Sequence, residues 1–186
     1  MDPIITLPYS EWVVAQQLTK SFPVREGYSV FAPLSRQEKG VDLVLVQRQR
    51  GATRAASIQV KFSRTYDKPQ SRGYKFATWF NNFTAPEQAD FFALLSLYPT
   101  NEGSQRGAAS SWWTPLILLF TYKEMCDFLA SVKTVGGTRD KMFGFGFSSP
   151  ERVVQVRGDQ QRQARDFTDH LLKHRVQMVR GFLSAG

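Results

Sequence analysis

Residues 40–47 read GVDLVLVQ and residues 57–63 read SIQVKFS, and these two runs decide the fold. Both are rich in aliphatic and β-branched residues, the composition of strands. Between them lies Arg50-Gly51, a turn signal, so residues 41–47 and 56–62 form an antiparallel hairpin. Centring the pairing on that turn sets Asp42 across from Gln59. Gln59 and Lys61 are two apart and leave one face, while Ile58, Val60 and Phe62 leave the other. Asp42 interrupts an otherwise apolar run. A carboxylate, an amide oxygen and an ammonium therefore converge on one patch.

Working outward, residues 10–20 have helical spacing, with Ser10 as N-cap and Val14, Ala15 and Leu18 as an apolar stripe. Glu11 falls in line with that stripe, and a carboxylate so placed requires a partner. Residues 28–32 read as a short strand ended by Pro33, and residues 74–83 as a strand with Tyr74, Phe76, Thr78 and Phe80 on one face. Strands come next at 91–98 and 115–122, then a helix at 123–132 ended by Gly136-Gly137. Short strands at 143–147 and 153–156 precede a long C-terminal helix over 159–183 that carries Phe167, Leu171 and Val179 on one side. No repeat and no long linker divides the chain, so residues 1–186 are expected to form a single α/β (α+β) domain.

The 42% hydrophobic and 13% aromatic fractions exclude a disordered chain. A single cysteine, Cys126, excludes an internal disulfide framework and a zinc ribbon. No apolar run approaches the ~20 residues of a membrane span, and the N-terminus lacks a basic region followed by an apolar one. The expectation is a cytoplasmic protein with no membrane attachment. Net charge is +8. Nearly all of the excess lies in residues 47–75, where Arg48, Arg50, Arg54, Lys61, Arg64, Lys68, Arg72 and Lys75 face one acid, Asp67. Charge clustered this tightly favours a polyanionic partner over a merely solvated hairpin.

The patch suits Mg²⁺ or Mn²⁺, which take oxygen ligands at about 2.1 Å and keep several waters. Asp42, the Gln59 side-chain oxygen, a backbone carbonyl such as that of Val60, and Glu11 supply oxygen donors. Lys61 is placed to contact a phosphate beside them. The bland alternative is an Asp42–Lys61 salt bridge on a surface sheet. His170 and His174 stand four apart near Asp166, but with no third ligand they read as a solvated helix edge. Phe143–Phe147 holds a GxG without the rest of a phosphate-binding loop. Cys126 reads as a small buried residue. The aromatic residues of 74–83, with Trp112 and Trp113, fit either a core or a platform for unpaired bases.

The order GVDLVLVQ…SIQVKFS after a Glu-bearing helix resembles the PD-(D/E)XK nuclease superfamily, whose fold is that of restriction endonucleases and Holliday junction resolvases. The resemblance implies a restriction endonuclease-like core, a central mixed β-sheet flanked by helices in α-β-β-β-α-β order. By position, Asp42 matches the metal-binding aspartate, Gln59 stands at the (D/E) position, Lys61 is the catalytic lysine and Glu11 the first-helix glutamate. Gly40-Val41 replaces the motif's proline, and Gln59 removes one negative charge from the metal site. The same resemblance implies a Mg²⁺- or Mn²⁺-dependent endonuclease acting on nucleic acid, DNA more than RNA, with a homodimer as the family's common assembly. Arg48, Arg50, Arg54, Ser63, Arg64, Lys68 and Arg72 would contact phosphates. Two alternatives stay open: a catalytically inactive nucleic-acid-binding or interaction module on the same fold, and a basic structural protein docking on an acidic partner.

Overall fold

One long strand, β3 (Ala52–Asp67), organises the molecule. A computed structural model of the chain describes residues 9–33, 40–49, 51–67, 73–99 and 113–185. Ahead of β3 come α1 (Tyr9–Ser21), β1 (Tyr28–Phe31) and β2 (Leu43–Gln49). After it come β4 (Phe76–Asn81), β5 (Phe91–Pro99), β6 (Trp113–Thr121) and α2 (Tyr122–Ser131). The chain continues through β7 (Met142–Phe147), β8 (Val153–Arg157) and α3 (Leu172–Ser184).

The β2–β3 hairpin pairs Leu43 with Ile58 and Gln49 with Ala52, the register that the Arg50-Gly51 turn implies. β1 adds antiparallel to β2. On the other edge of β3, residues 58–64 pair in parallel with β5, and β6 runs antiparallel to β5. The last residues of β3, Thr65 to Asp67, pair with β4, which β7 and then β8 extend. β3 thus belongs to two sheets, β1-β2-β3-β5-β6 and β3-β4-β7-β8, and the β3–β5 pair makes the whole mixed.

Period-2 alternation along β5 and β6 builds two cores. Phe91, Ala93, Leu95, Ile117 and Leu119 face α1 and α3, together with Leu43, Leu45, Ile58 and Val60. Phe92, Leu94, Leu118 and Phe120 face α2 and the second sheet, where Phe143, Phe145 and Phe147 pack. Every residue from Phe91 to Tyr98 is buried, which accounts for the near-continuous apolar run.

Two expectations change. Residues 76–81 form the strand that the reading of 74–83 gave, and α2 comes only after β6, so the α-β-β-β-α-β order implied by the resemblance is not the order seen. Aromatic alternation in residues 76–80 suits pairing with β7 on one side and β3 on the other. The helix at 122–131 agrees with the expected 123–132 to within a residue, and beyond it Val132 is drawn fully into the core while the Lys133 amide turns to the Gly158 carbonyl. The long helix over 159–183 is only its second half. Residues 165–167 lie along β8 instead, with Gln155 N–H donating to the Arg165 carbonyl and Phe167 N–H to Val153. Arg162 and Ala164, at φ of 53° and 49°, cannot continue a helix. Phe167 buries its ring among Phe120, Phe128 and Phe145, and this tertiary contact overrides the local helical spacing.

Candidate active site

Regular pairing between β2 and β3 ends at Leu43 and Ile58. One step earlier, the Asp42 amide donates to the Ile58 carbonyl at 2.9 Å. A continued ladder does not make that bond, so Asp42 leaves the ladder rather than standing as the pairing partner of Gln59. Its carboxylate turns to the edge of β3, where Oδ2 accepts the Val60 amide at 2.7 Å. Among the described residues no strand pairs with this edge of β3 between Ile58 and Thr65, because β2 has ended and β4 has not begun. Amide and carbonyl of one strand residue point the same way, so the Val60 carbonyl faces the same open edge as its amide.

Gln59 is only 8% exposed, and among the described residues its Oε1 has no hydrogen-bond partner. A buried acceptor left without a donor costs about 1–3 kcal/mol and calls for an explanation. Beside it is Gly40, where the chain enters the site at φ +93°. A Cβ at Gly40 would stand 2.5 Å from the Pro86 side chain and 3.7 Å from Gln59 Nε2. Only glycine combines that backbone conformation with that proximity.

Lys61 leaves the same face of β3 as Gln59 and is half-buried. Its Nζ lies 5.0 Å from the centroid of the Phe83 ring. Among the described residues no ion pair joins Lys61 to Asp42, so the surface-salt-bridge account of the two residues is not what holds them. Lys61 opens onto a cavity of about 310 Å³ whose other walls include Phe62, Trp79, Asn81 and Phe83. Ser63, on the same face, donates from Oγ to the Trp79 carbonyl at 2.6 Å and ties β3 to β4 where the sheets divide.

Glu11 is 8% exposed in the first turn of α1. That helix covers the Ile58 and Val60 face through Val13, Val14 and Leu18, so Glu11 comes from the side of the sheet opposite Lys61. The basic residues also divide by face. Arg48 is exposed and shares the Lys61 side. Arg54 and Arg64 alternate with Gln59 and Lys61; Arg54 donates to the Leu183 carbonyl at 3.2 Å, and Arg64 stacks on Tyr66. Arg50, Lys68, Arg72 and Trp112 lie outside the described residues.

Oxygen donors suited to a hard cation are therefore present: the Asp42 carboxylate, the orphaned Gln59 oxygen and the edge carbonyl of Val60. They fit Mg²⁺ or Mn²⁺ better than a softer metal, since neither thiolate nor imidazole stands among them. Among the described residues no group of three His, Cys, Asp or Glu could hold a metal, and of the three donors named only Asp42 carries a charge.

The histidines stand apart. His170 sits in a 3-10 turn, its ring centroid 4.5 Å from that of Phe120, and burial pushes its pKa down to about 4. This half-buried ring corrects the reading of His170 as part of a solvated helix edge, while His174 is exposed on α3 as that reading had it. Cys126 is only partly buried and lines a cavity; its hydrogen bond with Tyr122 raises the phenol pKa, helped by burial and the nearby Glu87 carboxylate.

Sequence reasoning missed Gly40, Pro86 and Phe83 as walls of the site. The strand expected over 74–83 ends at Asn81, and the Phe83 ring beyond it lies under Lys61. Comparison with family models, with curated proteins and with solved structures finds no match for this chain. Among the described residues no helix is long and apolar enough to cross a membrane.

Proposed function

We propose that the chain is a Mg²⁺- or Mn²⁺-dependent endonuclease-like protein that hydrolyses phosphodiester bonds of nucleic acid, with DNA as the first substrate to test, working in the cytoplasm. The observation that carries this reading is the buried Gln59 oxygen, without a hydrogen-bond partner among the described residues, on a strand whose open edge holds the Asp42 carboxylate. Asp42, Gln59 and the Val60 carbonyl would hold the ion, and Glu11 would support them from α1. A divalent ion there lowers the pKa of bound water and neutralises charge growing on the scissile phosphate.

Lys61 would bring a cation to the phosphate from the cavity side, among the rings of Phe62, Trp79 and Phe83. Asp42 keeps one oxygen on the Val60 amide, which fixes its orientation and leaves the other for the ion. Ser63 holds β4 in place behind Lys61. Arg48 fixes a phosphate further along the same face without reading sequence.

The direct test incubates the protein with plasmid, branched and single-stranded substrates in Mg²⁺ or Mn²⁺. Lys61→Ala is expected to lower cleavage by about a hundredfold or more, the scale of losing one preorganised charge-stabilising group. Equal behaviour of wild type and variant on every substrate contradicts the reading. The low charge of the site, with Gln59 where an acid would stand, favours one other reading, an inactive binding module on the same scaffold. That module binds nucleic acid with steep salt dependence, cuts none of it, and retains binding in Asp42→Asn.

A further inference from the structure

We infer that the groove running from Lys61 across Phe83 to Lys133 and Arg139 binds the unpaired strand of a nucleic acid, its bases stacked on the groove's rings. The inference rests on the nucleic-acid reading above and names the form of substrate that it takes.

The cavity at Lys61 is not isolated. A second one, of about 440 Å³, lies between residues 83–87 and α2 and shares the Phe83 wall with it. Its lining adds Tyr122, Lys133 and Arg139, with Glu87 the one acid among them. Lys133 and Arg139 pair across an isolated antiparallel bridge, so their side chains leave the same face, and both are exposed. Arg139 makes a long 3.4 Å contact to Asn82, and among the described residues nothing else is bonded to its donor fork, which can take an anion. Cations therefore stand at both ends of the groove, with aromatic rings between them.

The rings are held for contact rather than left loose. Phe83 is braced from behind by Phe92 and Phe143, at centroid distances of 6.1 and 6.4 Å, while Lys61 stands on it. Gly144 has no side chain because a Cβ there would overlap the Trp79 ring, so that ring lies flat against the backbone of β7. Phe62, at the mouth, is 49% exposed. Alternating cations and part-exposed rings in a channel fit a sugar-phosphate backbone whose bases are splayed out. A duplex hides its base faces in the stack and offers these rings nothing to contact.

The test reads binding without cleavage. Fluorescence anisotropy in EDTA compares labelled oligothymidylate and oligouridylate with a blunt hairpin duplex and with an abasic strand, all of equal length. Either single strand is expected to bind at least about fivefold tighter than the duplex and the abasic strand, the effect of stacking one base or more. The tighter of the two supports the groove and names the sugar. Lys133→Glu/Arg139→Glu is expected to fold as the wild type by circular dichroism and to reduce the log–log salt slope by about 1.4, the loss of two phosphate contacts. An abasic strand binding as well as the thymidylate, or a double variant with the wild-type slope, overturns the groove. Groove-dependent binding by a protein that cuts no substrate supports this inference and overturns the endonuclease reading alone.

Discussion

Gln59 is the residue on which the site turns. An amide oxygen shut away from water, with no donor among the described residues, is tolerated when something else uses it, as the proposed cation would. Gln59→Glu puts a full charge at the same place. It is expected to tighten Mn²⁺ binding by about tenfold, roughly 1.4 kcal/mol, as read by calorimetry. Unchanged or weaker affinity would show that the oxygen does not face the ion. Gly40 makes a second residue-scale case. Gly40→Ala must hold a side chain at φ +93° while pushing against Pro86, so a loss of about 1–3 kcal/mol is expected in urea unfolding. A variant as stable as the wild type would mean that the entry to β2 is loosely held.

At the scale of elements, β3 carries the site because its two edges are shared unequally. β5 covers one edge along the whole middle of the strand, while β2 and β4 leave a gap on the other. The hairpin register was legible in the sequence, since a two-residue side-chain period and one glycine turn admit few pairings. The gap was not legible. It depends on where β4 joins, and on an Asp42 carboxylate that takes an amide in place of the next strand residue. α2 shows the same contrast. Its start is written locally as a capping box: Thr121 Oγ1 accepts the Glu124 amide, and Glu124 Oε2 accepts the Thr121 amide at 2.9 Å. Thr121→Ala is expected to cost about 1 kcal/mol, checked by thermal or urea unfolding, and no loss would show the cap to be idle. The beginning of α3 is written nowhere locally, because Phe167 and Leu171 keep helical spacing while their side chains belong to the second core.

Across the whole molecule, the second core joins β6, α2 and the chain before α3, and His170 sits where they meet. Burial holds this imidazole neutral down to about pH 4 in the folded protein. The unfolded chain takes up the proton near pH 6.5. Between those values the unfolded state binds more protons, so stability falls as pH drops from about 6.5 to about 4. Its slope over that window is expected to flatten in His170→Gln, measured by urea unfolding at several pH values; an unchanged slope would remove His170 as the cause. The distribution of charge works at the same scale. Alternation sends Arg54 and Arg64 to the face opposite Lys61, so the cluster of cations in the sequence divides in space, and the rings of β4 and α2 line the groove proposed to bind the strand. Everything proposed for that side depends on a divalent ion held at the open edge of β3. Calorimetric titration of the protein with Mn²⁺, beside Asp42→Asn, tests this most directly, because asparagine can still accept the Val60 amide while losing the charge. One ion bound by the wild type and none by the variant is the predicted result. Equal binding by both, or none by either, would contradict the account.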